Sequence, residues 1–233
     1  MSFLTNGSLA LSLPASGSGF SVATPPAASV PAASVTAARR EPVIVPIDEK
    51  PRAINIVFAA DPGAGKYDGV VGRPNDVWNL ADVGVTRTPL LKSASGAFTP
   101  VRLEVSENDG ARSISEHAGI FHGYIYHNCR CVDLKATLHD LPRGKYDILV
   151  YAHGDAPEQN ANVELAIHGE TIARQSTLND GTWRFRSTDW QEGVQYVRFQ
   201  LNHGGRHPVE MISHRDGSPY SMFNAIQIVR LED

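Results

Sequence analysis

From Ile54 onward the chain sets short apolar runs against polar residues at alternate positions, and Gly, Pro, Asn and Asp interrupt the runs at close intervals. A period of two places successive side chains on opposite faces of a strand, so the pattern predicts an all-β, antiparallel, jelly-roll-like β-sandwich. The predicted strands are 54–59, 90–91, 101–105, 131–138, 146–152, 162–167, 170–175, 183–187, 196–201, 209–213 and 225–231. A helical period is not sustained, although one short helix is expected over 113–121, with Ser113 as its cap and Glu116 closing a capping box.

Two turns carry their own mechanism. Pro142 fixes φ and Gly144 tolerates a positive φ in Leu141-Pro142-Arg143-Gly144-Lys145-Tyr146, while Ile167-His168-Gly169-Glu170 has the form of a tight hairpin. Both are expected to join neighbouring antiparallel strands into a local meander.

Residues 1–51 differ in kind. Ala, Ser, Pro, Gly and Val dominate, as in Thr24-Pro25-Pro26-Ala27-Ala28-Ser29-Val30, with too few large side chains to offset the entropy of ordering. They read as a disordered linker or arm ahead of a sandwich domain at 52–233. The run Leu9-Ala10-Leu11-Ser12-Leu13 is apolar, yet no Lys or Arg precedes Arg39, so it reads as linker and not as a signal peptide. No stretch reaches the roughly 18 apolar residues of a membrane-spanning helix, and no membrane insertion is expected.

A chain of 233 residues has room for a sandwich that buries its core without disulfide support. Its formal net charge of −4 is spread thinly, which argues against a nucleic-acid or other polyanion partner. Cys129 and Cys131 stand one residue apart, a spacing that seldom gives an unstrained disulfide, and the redox compartment stays open on this count.

Four segments together carry a resemblance. They are Ile54-Asn55-Ile56-Val57-Phe58, Asn75-Asp76-Val77-Trp78-Asn79, Leu138-His139-Asp140-Leu141-Pro142-Arg143-Gly144-Lys145-Tyr146-Asp147-Ile148-Leu149-Val150-Tyr151, and Phe223-Asn224-Ala225-Ile226-Gln227-Ile228. In that order they resemble the galactose-binding-domain-like β-sandwiches of bacterial, planctomycete-type extracellular and surface proteins. The resemblance covers about residues 52–232. It implies a jelly-roll sandwich of the kind that serves in carbohydrate binding, adhesion or assembly, and it names no ligand, because sites on such folds vary with the loops. The chain departs from the pattern in a long insertion at 112–130.

Recognition of a sugar needs flat aromatic faces for the apolar side of a pyranose and planar polar groups for its hydroxyls. The candidates are Asp76, Trp78 and Asn79; Tyr124 and Tyr126; and Trp183, Arg184 and Trp190. Trp78 and Trp183 stand at positions where a Trp commonly covers a core, whereas Trp190, in Thr188-Asp189-Trp190-Gln191-Glu192-Gly193, is expected to be exposed.

His127, Cys129 and Cys131 would share one face of an extended strand and suit a soft metal, but no second ligand cluster follows, so the cysteines are expected to pack as small buried residues. His139, His153, His168, His203, His207 and His214 are scattered and read as strand-end or surface residues. Gly63-Ala64-Gly65-Lys66-Tyr67 lacks the first glycine and the hydroxyl of a phosphate loop, so nucleotide binding is set aside. Asp61-Pro62-Gly63 and Asn179-Asp180-Gly181 offer oxygens to a structural calcium without the spaced acids of a dedicated loop; no other cofactor is expected. Acids such as Glu104, Glu107, Asp109, Glu116, Asp155, Glu158 and Glu210 are plentiful, but the pairing of carboxylates is a spatial fact, so they read as solvated strand-edge charges, and no G-x-S-x-G motif occurs.

The expectation is a non-catalytic carbohydrate-binding or adhesion module, extracellular or at the cell surface, with a glycan or surface polysaccharide as partner. Two alternatives stand beside it. One is a self-associating subunit of a surface layer, fibre or shell that uses the N-terminal arm; the other is a glycoside hydrolase or esterase whose acids converge only in the fold.

Overall fold

The structure, a computed structural model, describes residues 53–59, 65–84, 86–114, 117–129, 131–179, 181 and 189–231. The expected arm at 1–51, the strand expected at 183–187 and the loop Asp61-Pro62-Gly63 lie outside these residues.

In chain order the strands are β1 (Ala53–Phe58), β2 (Trp78–Ala81), β3 (Arg102–Val105), β4 (Gly110–Ser113), β5 (Gly123–His127), β6 (Leu134–His139), β7 (Gly144–Tyr151), β8 (Ala161–Ile167), β9 (Glu170–Ser176), β10 (Val197–His203), β11 (Val209–Arg215), β12 (Ser221–Phe223) and β13 (Ala225–Leu231). They form one five-stranded sheet in the order β10-β7-β13-β1-β2, a second in the order β3-β6-β11-β8-β9, and a three-stranded sheet β12-β5-β4. Among the described strands the pairings are antiparallel except β1 with β2, where Asn55 sits beside Trp78 in parallel register. The expected all-β, antiparallel sandwich is what the chain forms.

Alternation explains the core. Ile54, Ile56 and Phe58 of β1, Ile148 and Val150 of β7, Phe199 of β10 and Ile226 and Ile228 of β13 point inward from the first sheet. They meet Leu103, Leu134, Ala136, Leu138, Val163, Leu165, Val209 and Met211 of the second in one apolar cluster. Truncating such a residue to Ala typically costs about 2–5 kcal/mol.

β1 is buried at every position, because its other face is covered as well. On that outer face Leu149, Tyr151 and Ala225 join Ile120, Phe121 and Tyr196 in a second apolar cluster, against which Tyr67, Val70, Trp78, Trp190 and Val229 pack. Burial on both faces makes a strand read as a continuous apolar run.

The 167–170 turn is the expected hairpin, its central residues His168 and Gly169 both at positive φ, 54° and 78°. Other expectations are corrected. The 141–146 turn is no hairpin: β6 pairs with β3 and β11, whereas β7 pairs with β10 and β13, so this connection carries the chain from one sheet to the other. Asp140 takes a positive φ of 59° at the crossing. The helix expected over 113–121 gives way to strand β4, which ends at Ser113 paired with Gly123, and to a 3-10 turn at Gly119–His122. Ladder bonds claim Ser113, and the 3-10 turn starts without any side-chain cap. The insertion at 112–130 thus builds much of the small sheet. Among the described residues no helix is long and apolar enough to cross a membrane.

Candidate functional site

The outer face of the first sheet presents a row Trp78, Asn55, Gln227, Leu149 and beside it a row Leu80, Val57, Ala225, Tyr151. Asn55 and Gln227 are polar residues inside apolar strands, and both are fully buried. A buried amide must be hydrogen-bonded, and here the partners come from the loop between β1 and β2.

Gln227 Nε2 donates to Asn55 Oδ1 at 2.9 Å and to the Val71 carbonyl at 2.6 Å. Its Oε1 accepts from the Tyr151 hydroxyl at 2.7 Å and from the Val71 N–H at 3.4 Å. The Val70 N–H donates to Tyr151 Oη at 3.0 Å, and Asn55 Nδ2 donates to the Val77 carbonyl at 3.3 Å. Burial pushes the Tyr151 hydroxyl pKa far up, so it remains a donor. Gly69 is required where the loop meets this network, since an added Cβ would lie 2.4 Å from Gln227 Oε1.

The loop so held forms a cleft of about 330 Å³ against Asn55 and Trp78, lined by Tyr67, Asp68, Arg73 and Asp76 among others. The Tyr67 and Trp78 rings are 6.1 Å apart and tilted by 50°. Both are half-buried, whereas Asp68 and Arg73 are exposed. Asp76 Oδ2 accepts the Arg73 N–H at 2.9 Å and so shapes the turn that makes one wall. The result is a cleft with aromatic surface, an amide and charges of both signs.

The other predicted residues fall elsewhere. Asn79 donates to the Asn55 and Lys92 carbonyls at 2.8 Å each and accepts the Lys92 N–H at 2.7 Å, so its amide ties β2 to the following loop. Tyr124 is 1% exposed and belongs to the main core; its hydroxyl donates to Asp155 Oδ1 at 2.8 Å, and Asp155 also pairs with Arg112 at 2.6 Å. Burial first, then this acid, raises the Tyr124 pKa. Tyr126 packs edge-on against Tyr220 at 5.5 Å and does not line the cleft.

Trp190 is half-buried instead of exposed, because Phe121 and Tyr151 hold its ring at 6.0 and 5.6 Å. It shares the outer-face cluster with Trp78 and thereby joins the 112–130 insertion to the same face. Trp183 and Arg184 lie outside the described residues.

Asp68 and Arg73 are not among the residues the sequence offers, and Tyr67 enters there only as the end of the discarded phosphate-loop segment. The signal that would have found them is the pair of polar interruptions at Asn55 and Gln227, which demand partners and so mark the loop that supplies them.

Two further groups depart from expectation. Cys129 and Cys131 are exposed and joined by a disulfide, because they sit in the turn before β6 and not on the strand expected from 131. Their sulfurs therefore do not stand ready as metal ligands. His153 and His203 are buried, not surface residues. Burial pushes His153 down to about 3, against the opposing effect of its hydrogen bonds to the backbone of Gln195 and Val194, the Gln195 carbonyl accepting from the ring.

The acids are largely committed to partners. Glu104 pairs with Arg87 at 2.6 Å and His139 at 3.0 Å, and Glu210 with Lys135 at 2.9 Å. Among the described residues no group of three or more His, Cys, Asp or Glu is placed to hold a metal ion. Of the two loops that offered oxygens to a structural calcium, Asp61 and Asp180 fall outside those residues.

A second cleft, about 460 Å³, opens at one end of the sandwich over Ile54, Val101, Leu141, Tyr146 and Ile228, with Phe98 and Arg230 at its rim. Its lining is largely aliphatic and lacks the amide and carboxylate groups of the first.

No family model and no curated protein matches the chain. Among solved structures, a Bacillus subtilis protein from a structural genomics consortium is 14% identical, with a TM-score of 0.42 over 78% of this chain and 40% of that one. Bacteroides uniformis beta-glucuronidase is 13% identical, with a TM-score of 0.37 over 60% of this chain and 15% of that one. The CBM36-1 domain of a multidomain xylanase from the hindgut metagenome of Trinervitermes trinervoides is 13% identical, with a TM-score of 0.33 over 56% of this chain and 99% of that one. The chain thus spans well under half the length of the first two. Likeness of this order defines no family, and the chain is described by its own geometry: an antiparallel β-sandwich with an aromatic, polar-rimmed cleft on one outer face.

Proposed function

We propose that this chain is a non-catalytic carbohydrate-binding module and that the Tyr67–Trp78 cleft is its glycan site. The observation that carries the reading is the half-buried ring pair at 6.1 Å beside a buried amide, two carboxylates and a guanidinium. Aromatic faces take the C–H side of a pyranose, and the exposed Asp68 and Arg73 side chains take its hydroxyls, while the buried amide fixes the wall behind them. At about 330 Å³ the cleft lies near the lower end of ligand sites, which suits one end of a glycan.

The buried Asn55–Gln227 network holds the cleft wall in place before any ligand arrives, which lowers the ordering cost of binding. We place the module outside the cell or on its surface, a reading supported by the cystine at Cys129–Cys131, a bond at home in oxidising compartments.

The test is glycan-array screening followed by calorimetry with the best ligand. Binding lost in Trp78→Ala and in Tyr67→Ala, with the fold intact, supports the site. Turnover of a chromogenic glycoside or ester by the pure chain would instead favour an enzyme.

A further inference from the structure

Cys129 and Cys131 lie in the connection from β5 to β6, both exposed and joined to each other. Neither belongs to an apolar cluster of the fold. A bridge across a single intervening residue removes little loop-closure entropy from the unfolded chain, so it contributes little to stability.

The turn is held by other means. From β11, Arg215 Nη2 donates to the His127 carbonyl at 2.9 Å and to that of Cys129, while Nη1 donates to the Val132 carbonyl and Asp133 Oδ1, each at 2.9 Å. Asp109 accepts the Asn128 N–H, and the Cys129 N–H donates to His127 Nδ1 at 3.1 Å. The two sulfurs are also inequivalent: the Cys131 N–H donates to Cys129 Sγ at 3.4 Å, and the Arg215 guanidinium is fixed on the Cys129 carbonyl. An N–H donor aimed at Cys129 Sγ stabilises negative charge on that sulfur.

We propose that Cys129–Cys131 is a thiol–disulfide exchange site, attacked at Cys131 Sγ by an external thiolate, with Cys129 Sγ as leaving group. The incoming sulfur bonds to Cys131 Sγ, the S–S bond breaks, and its electron pair passes to Cys129 Sγ, which takes a proton from solvent. A second thiolate then attacks the incoming sulfur and releases Cys131. The net change oxidises two thiols, or one dithiol, to a disulfide and reduces the cystine to two thiols. Exposed disulfides outside a core are the labile class, and a stabilised leaving thiolate speeds the first step. The inference is independent of the glycan cleft.

The experiment uses the full chain, oxidised in air and incubated under native conditions with dithiothreitol, with reduced glutathione, or with a small redox protein bearing a dithiol, then alkylated and weighed. Two labels per chain, with far-ultraviolet circular dichroism and tryptophan fluorescence unchanged, are expected with dithiothreitol. Reduction by glutathione assigns a low-molecular-weight thiol, and reduction by the dithiol protein alone assigns a protein partner. In single variants, Cys129 in Cys131→Ser should alkylate about tenfold faster near neutral pH than Cys131 in Cys129→Ser, with its pH profile displaced to lower pH. A cystine that resists excess dithiothreitol until denaturant is added, free thiols in the air-oxidised chain, unfolding on reduction, or equal rates in the two variants would each overturn the proposal.

Discussion

Gln227 Nε2 donates to Asn55 Oδ1 at 2.9 Å across 172 positions of sequence, and this one bond joins the last strand to the first on the face that carries the cleft. The same side-chain amide holds both Val71 backbone groups and the Tyr151 hydroxyl. Removing it should strand several buried groups at once. Gln227→Ala is expected to lower stability by on the order of 3 kcal/mol in urea titrations and to raise hydrogen exchange at the amides of Val70 and Val71.

Gly69→Ala tests the same contact from the other side. Its Cβ would stand 2.4 Å from Gln227 Oε1, so either the loop or the amide has to move. A loss of about 1–3 kcal/mol is expected, together with weakened glycan binding. Wild-type stability and affinity in this variant would show that the loop is not clamped as described.

Trp78 and Trp190 share one aromatic cluster but should separate by role. Trp78→Ala removes a wall of the cleft and is expected to abolish glycan binding while the chain stays folded. Trp190→Ala opens the packing around Phe121 and Tyr151, and should cost about 2–3 kcal/mol with binding retained below the melting temperature. Thermal melts and calorimetry on the two variants decide the matter.

His153 gives the fold a dependence on pH. Burial lowers its pKa from 6.5 to about 3, so between those values the unfolded chain binds a proton that the folded chain does not. Stability therefore falls as pH drops through this window, by about 1.4 kcal/mol per pH unit once well below 6.5. His203, also lowered by burial, acts in the same direction. His153→Gln, which can keep a donor toward the Gln195 carbonyl, is expected to flatten the slope of stability between pH 6 and pH 4. An unchanged slope would assign the acid sensitivity to other groups.

Much of the architecture was legible from period-two alternation, because the face a side chain takes is a local property of each strand. The inward set Ile54, Ile56 and Phe58 and its counterparts in β7, β10 and β13 follow from it directly. The hairpin at His168-Gly169 was legible too, since two central residues at positive φ are a local requirement. The site was legible only in part: Asp76 and Trp78 line the cleft, but Tyr124 went to the core, and Asn79 and Trp190 to packing roles.

Sequence alone determined that the chain would fold as strands with one face inward, because alternation and turn chemistry act over a few residues. Only the tertiary structure decided that the 141–146 turn crosses between sheets, that β1 is covered on both faces, and that Tyr67 and Trp78 meet over Asn55. It also decided that Cys129 and Cys131 join in a turn pinned by Arg215. These outcomes depend on which distant segments share a ladder or a face. That choice is made by the collective packing of two sheets and by the need to satisfy buried amides, and no local period encodes it.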